Sequence, residues 1–332
     1  MRIKRLNFPC VMKIGNIGIK GHVVLGPMAG YTTLAYREFM KPFGVGLSVS
    51  EMISDCGIDY NNQRTFEYLA TSKSDRPVAL QIFGFSAENS TKAIRIIEER
   101  ADYDILDLNF GCPVFKVTKT GAGSSWLKDP EKLYEYTKAI VETSSKPVTA
   151  KIRLGWDENS INVFENVAAL EKAGVAAICV HCRTKAQGYA GVARYEAIAG
   201  LRDKMSVPLI VSGDIFTPED AKRAVEITHA DAVMVARGGL GNPYLVTQIN
   251  HYLDTGERLP DPTPAQQIEW AEEFIDRLIA LKGEVVAVKE LRGILPHFIM
   301  GYPGFKAVRI GIAKATNKEQ LVRILEGVKA RL

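Results

Sequence analysis

The chain has 332 residues, 46% hydrophobic and 24% charged, with a net charge of +4. These values fit a folded globular protein and exclude disordered, collagen-like and fibrous chains. The length suits one barrel-sized domain plus an appendage. Five cysteines (Cys10, Cys56, Cys112, Cys179, Cys182) are sparse and odd in number, so a reducing cytoplasm is expected rather than a disulfide framework.

The basic start, MRIKRLNFPCVMKIGN, lacks the sustained apolar core of a signal peptide. No window approaches the ~18 apolar residues of a membrane span. Residues 11–20 (VMKIGNIGIK) alternate around a Gly-Asn pair and predict a small hairpin closing a barrel floor. From about residue 22 to 255, short apolar or β-branched runs alternate with helix-spaced segments. The runs are HVVLGPM, VGLSVSE, VALQIFG, YDILDLN, PVTAKIR, VAAICVH, VPLIVSG and ADAVMVA. Helical segments open at Ser86 and Asp129 and span Asn159–Ala173. Another follows Thr217 as N-cap, with Pro218 in the first helical position. Near-continuous apolar runs joined by helices read as buried parallel strands, and eight such units predict a (β/α)8 TIM barrel. No G-x-G-x-x-G follows the first run, which argues against a dinucleotide-binding open sheet.

Residues 254–264 (DTGERLPDPTP) concentrate turn formers and mark a boundary. The expected division is a barrel domain over 1–255 and a small all-helical domain over 264–332. Helices are expected over 265–281, 284–300 and 318–330, with a turn at GYPGF (301–305). From residue 282 to the end there are ten Lys/Arg and four Asp/Glu, a balance of +6, whereas the preceding residues carry 32 against 34. The tail therefore suits a polyanionic partner.

In a barrel, functional residues gather at the carboxyl ends of the strands. Here those ends carry Pro27-Met28-Ala29, Gln81, Asn109 with Cys112, Lys151 with Arg153, His181 with Arg183, Ser212-Gly213-Asp214 and Ala236-Arg237. Burying such polar groups without partners costs a few kcal/mol each, so their coincidence marks a ligand site. Gly213, Gly238 and Gly239 free backbone N–H groups that can cradle a phosphate, and Arg237 adds charge. Cys112 is the expected proton donor: Pro113 holds it out of the α conformation, and a thiol stays largely protonated at neutral pH. The loop behind it, VFKVTKTGAGSSW, reads as a movable lid. Cys179 and Cys182 have metal spacing but should point to opposite faces of one strand, so no metal site is expected.

These residues together resemble the tRNA-dihydrouridine synthases, most closely their bacterial B-type branch. The matching motifs are GPMAGYT (26–32), LQIFG (80–84), DLNFGCPVFKV (107–117), TGAGSSWL (120–127) and KIRLGW (151–156), with HCRT, SGDIFTPEDA, VARGGLGNPY and GYPGFKAVRIGIAKATNKEQL beyond them. The resemblance implies bound FMN, reduced by NADPH or alternatively NADH, with tRNA as substrate and no membrane or metal partner; a monomer is expected. It implies that Pro27, Met28 and Ala29 pack at the flavin ring and that Gln81, Lys151 and His181 hydrogen-bond it. Ser212, Gly213, Asp214, Ala236 and Arg237 would surround its phosphate. Asn109 and Arg183 would meet the substrate, hydride would pass from flavin N5 to uracil C6, and Cys112 would protonate C5. Cys182, Ser212 and Ala236 depart from the commoner Gly, Asn and Gly. The rival reading is a small-molecule FMN reductase of the dihydropyrimidine or dihydroorotate dehydrogenase kind, which has no need of a basic tail.

Overall fold

The computed structural model describes residues 10–302 and 304–331; the first nine residues, on which the reading of the basic start falls, lie outside the described residues. β1 (Cys10–Ile14) and β2 (Ile17–Lys20) form the hairpin. Its turn needs Gly15, whose φ is +58° and whose Cβ would lie 2.7 Å from the Pro147 ring. Eight parallel strands then close a barrel in the order β10-β3-β4-β5-β6-β7-β8-β9. They are β3 (Val23–Leu25), β4 (Leu47–Ser54), β5 (Val78–Phe83), β6 (Ile105–Asn109), β7 (Val148–Arg153), β8 (Ala177–His181), β9 (Leu209–Ser212) and β10 (Ala232–Val235). Each falls within one of the eight apolar runs, except β4, which continues past its run to Ser54.

The barrel helices are α1 (Leu34–Met40), the short α2 (Asp55–Asp59) and α3 (Gln63–Glu67), α4 (Ala87–Arg100), the single turn α5 (Phe115–Thr118), α6 (Pro130–Thr143), α7 (Val163–Ala173), α8 (Pro218–Thr228) and α9 (Tyr244–Thr255). Thr217 caps α8 as the sequence predicts, accepting from the Asp220 amide while Asp220 returns the bond in a capping box. The sixth unit departs from the strand–helix rule. Between β8 and β9 the chain makes only two 3-10 turns, at Tyr195–Ile198 and Arg202–Lys204. Gly188, Gly191 and Gly200 interrupt that stretch, each with positive φ, which an α-helix excludes. The expected lid also folds tightly: α5 is followed by a 3-10 turn over Gly123–Lys128, and the Ser124 amide donates to the Cys112 carbonyl.

Two apolar layers explain the shape. The hairpin residues Met12, Ile14 and Ile19 pack with Val24, Leu47, Ala79, Ile105, Ala177 and Ala232, and so plug the amino-terminal end of the barrel. The alternate strand residues, Leu80, Leu106, Ala150, Ile178 and Val233 among them, face the helices. Cys179 lies in the inner layer and Cys182 in the outer one, so the pair is divided between two faces. Among the described residues no cluster of three or more potential metal ligands occurs, and no helix is long and apolar enough to cross a membrane.

The C-terminal helices are α10 (Pro264–Lys282), α11 (Glu284–Ile294), α12 (Phe305–Lys314) and α13 (Lys318–Lys329). α12 is an element beyond the three expected: a helix begins at Phe305, the last residue of the segment expected as a turn, in which Pro303 lies outside the described residues. A 3-10 turn at Leu295–Ile299 ends the segment expected as one helix over 284–300. Phe274 of α10 contacts Tyr36 and Phe39 of α1 with ring centroids 5.7 and 5.4 Å apart, and Trp270 meets Phe43 at 5.2 Å. Barrel and C-terminal helices thus share one continuous apolar core.

Candidate active site

Inward-facing residues change character along each strand. Period-two alternation puts Ala79 and Gln81, Ile105, Asp107 and Asn109, Thr149 and Lys151, Cys179 and His181, and Ile210 and Ser212 on the interior. The apolar members sit against the hairpin and the polar ones rise above them. Parallel register levels the polar members with one another: Gln81 pairs with Asp107, Asn109 with Lys151, and His181 with Ser212. The result is a polar floor beneath a cavity of about 820 Å³ at the carboxyl end of the barrel.

That cavity gathers Pro27, Met28, Ala29, Gln81, Asn109, Cys112, Lys151, His181, Ser212, Gly213, Asp214, Ala236 and Arg237. Arg183 is the exception. Its side chain is 2% exposed and turns away to donate to both Asp214 oxygens at 2.8 and 2.6 Å, and to the carbonyls of Ala190 and Gly191. Its donors are spent inside the protein, so the expected substrate contact is corrected to a structural one. Arg153 does line the cavity, but it too donates inside the protein, to the carbonyls of Gly111, Thr184 and Gly188. Together the two arginines hold the 184–193 loop.

The floor is a connected network. Asp107 accepts from Gln81 at 2.7 Å and from Thr149 at 2.6 Å, and Asn109 donates to the Gln81 side-chain Oε1 at 2.8 Å. The Asn109 side-chain Oδ1 in turn accepts from the amides of Gly111 and Cys112, at 3.2 and 2.9 Å. Asn109 therefore orients the Cys112 backbone. Lys151 points into the cavity with no hydrogen-bond partner among the described residues. Burial lowers its ammonium pKa and raises that of the Asp107 carboxyl, so both are pushed towards neutrality. Burial, reinforced by the cations Lys151, Arg153, Arg183 and Arg237, holds His181 well below its ordinary range and hence neutral. Burial also pushes the Cys112 thiol up, against the pull of the Val114 amide and of Arg153 and Lys151.

On the opposite wall, the turn after β9 requires Gly213: its φ is +119°, and a Cβ there would lie 2.8 Å from the Ala193 Cβ and 2.9 Å from the His181 ring. After β10, a Cβ on Gly238 would lie 2.1 Å from the Ile215 carbonyl. Arg237 and Gly238 open a 3-10 turn, so their amides have no partner inside it. The half-exposed Arg237 guanidinium stands beside them. Desolvation opposes ionisation of Asp214, but its bonds from Arg183 and the Ala193 amide, with Arg237 nearby, hold its carboxyl below the usual range. Gly239, also expected in the phosphate cradle, is buried outside the cavity lining, with a Cβ position 3.2 Å from Met40.

An apolar wall at residues 27–29, an unpartnered ammonium, a neutral imidazole and a glycine turn beside a guanidinium form a donor set that fits a planar heterocycle with an anionic tail. Sequence reading missed several lining residues. Tyr189 reaches the cavity from the pinned loop, 4.7 Å from the Arg237 guanidinium carbon. Gln267 and His297 come from the C-terminal segment, and nothing in a linear motif brings them to the barrel mouth.

The model for the family described as dihydrouridine synthase (Dus) matches residues 24–330. A probable tRNA-dihydrouridine synthase of Rickettsia conorii is 35% identical over 294 residues, which cover 88% of each chain. The tRNA-dihydrouridine synthase B of Pseudomonas aeruginosa is 35% identical over 301 residues, covering 90% of each. Among solved structures, histamine dehydrogenase from Rhizobium sp. 4-9 superposes with a TM-score of 0.53 at 13% identity, over 80% of this chain and 50% of that one. That likeness is one of fold alone. With the family match running through both the barrel and the C-terminal helices, the chain belongs to the dihydrouridine synthase family.

Proposed function

We propose that the protein reduces uridine in tRNA to 5,6-dihydrouridine, using FMN in the cavity and NADPH as reductant. The observation that carries this reading is the meeting, in one cavity, of the protonated Cys112 thiol, the unpartnered Lys151 and the Gly213/Arg237 cradle, within a chain whose relatives are named for this activity. Bound FMN, once reduced, supplies hydride to C6 of the uracil.

The chain's own residues do the rest. Pro27, Met28 and Ala29 offer a flat apolar contact for the ring, while Lys151 and His181 offer donors to its polar edge. Arg237 and the neighbouring amides take the phosphate. Cys112 donates a proton to C5 of the base. Its backbone is fixed for that task by Asn109 on its amide and Ser124 on its carbonyl. Since a stacked base cannot enter the barrel, the uridine must leave its stack, and the basic C-terminal helices help offset that cost through phosphate contacts.

The test separates two half-reactions. Cys112→Ala should keep bound flavin and its reduction by NADPH, yet lose about 10²–10⁴-fold in uridine reduction. Unchanged turnover would remove Cys112 from the chemistry.

A further inference from the structure

Two polar side chains in the cavity belong to no part of the barrel. Gln267 lies in the first turn of α10 and His297 in the 3-10 turn that follows α11. Both are half-buried and line the cavity that holds Cys112. Each is held in place from behind. The Tyr302 hydroxyl donates to the Gln267 carbonyl at 2.6 Å, which aims the amide N–H₂ elsewhere. The His297 ring meets Tyr31 edge-on with centroids 6.4 Å apart. The His297 backbone is fixed too: Gly241, from the loop after β10, approaches so closely that a Cβ there would lie 2.2 Å from the His297 carbonyl carbon. Neither the imidazole nitrogens nor the Gln267 N–H₂ has a hydrogen-bond partner among the described residues. Two positioned polar groups that face a cavity, with donors and acceptors no other described residue takes, are available to a ligand.

Their chemistry narrows the ligand. Burial lowers the His297 pKa, so the ring is neutral near pH 7; with a carboxamide it makes a neutral donor and acceptor pair. Such a pair suits a hydroxyl rather than a phosphate, for which guanidinium and ammonium groups are the matched partners. Their position narrows it further. A base that reaches Cys112 occupies the centre of the barrel mouth, whereas groups carried on the C-terminal helices meet what stays outside, the sugar. We propose that His297 and Gln267 bind the ribose of the nucleotide entering the cavity, take its 2′-hydroxyl as hydrogen-bond partner, and so select RNA over DNA at the site. The 2′-hydroxyl both donates and accepts, as a neutral imidazole and a carboxamide require. The inference rests on the reading that the substrate is a uridine in RNA.

The test uses the flavin-loaded full-length protein and two forms of one unmodified tRNA, one all-ribose and one with every uridine replaced by 2′-deoxyuridine. Wild type should favour the ribose form in kcat/KM by about three- to tenfold, the worth of one or two neutral hydrogen bonds. In His297→Ala and in Gln267→Met that preference should shrink towards unity through a higher KM on the ribose form. His297→Gln should restore part of it. A preference equal to wild type in both truncations would overturn the proposal, as would an equal loss on both RNAs. If the wild-type protein forms no dihydrouridine on either RNA, the parent reading itself fails, and this inference falls with it.

Discussion

Asp214 is the position where removal of one side chain should be felt most clearly. Its carboxylate accepts two bonds from Arg183 and one from the Ala193 amide at 2.8 Å, and Arg237 lies 3.6 Å away. In Asp214→Ala the Arg183 guanidinium, 2% exposed, keeps two backbone carbonyls and a long contact of 3.5 Å to His181 Nε2, and the Ala193 amide loses its acceptor. Breaking a buried pair by deleting one partner costs about 3–5 kcal/mol. Asp214 is 26% exposed, so water can enter the space, and the lower end, about 3 kcal/mol, is expected. For a cooperative unit of 332 residues that corresponds to a fall in Tm of about 4 °C. Urea and thermal denaturation at pH 7 measure it directly, with Asp214→Asn intermediate because one acceptor remains. The pH dependence has a definite sign. The folded-state pKa of Asp214 is depressed, so its contribution is present above the unfolded carboxyl value of ~3.9 and is lost as pH falls through the folded value. The gap between wild type and variant should therefore close in acid. A loss below about 1 kcal/mol at pH 7, or a gap that widens in acid, would refute the assignment of this pair as the clasp of the 184–193 loop.

Other perturbations follow from the same geometry. Gly213→Ala combines a positive φ with a Cβ 2.8 Å from Ala193; it should cost about 1–3 kcal/mol and lower the flavin retained on purification, read from the visible spectrum. Because burial raises the Cys112 thiol pKa, the alkaline limb of uridine reduction should lie above the ordinary thiol value of ~8.5; a profile falling below that value would contradict a buried thiol donor. Phe274→Ala removes a fully buried ring from between Tyr36, Phe39 and Phe298 and should cost about 3–5 kcal/mol. If barrel and C-terminal helices melt as one unit, that loss appears in a single shared unfolding transition by calorimetry.

The strands were legible because a barrel buries both faces, so each strand reads as a short apolar run whose polar exceptions are the site. That logic located Gln81, Asn109, Lys151 and His181; the parallel register sets Asn109 level with Lys151, Gln81 level with Asp107 and His181 level with Ser212. It fails for side chains that leave the strand direction. Arg183 follows His181 in a site-like motif, but its long side chain turns back to Asp214, and nothing local in the sequence announces that partner. The missing helix between β8 and β9 was signalled only by its glycines. α12 was hidden because the GYPGF turn reads as an end rather than as a hinge into another helix. Gln267 and His297 were invisible for a different reason: their place at the cavity depends on packing α10 against α1, a contact between residues more than two hundred positions apart in the chain.

The central claim is that this cavity couples a flavin to uridine in RNA. The most direct measurement is anaerobic: record the visible spectrum of the purified protein, reduce it with NADPH, add unmodified bulk tRNA, and assay the RNA for dihydrouridine. The account predicts a yellow protein that bleaches with NADPH, regains its colour on adding tRNA, and leaves dihydrouridine in the RNA. A flavin that reduces but stays reduced in the presence of tRNA, or a protein that carries no flavin, would contradict it.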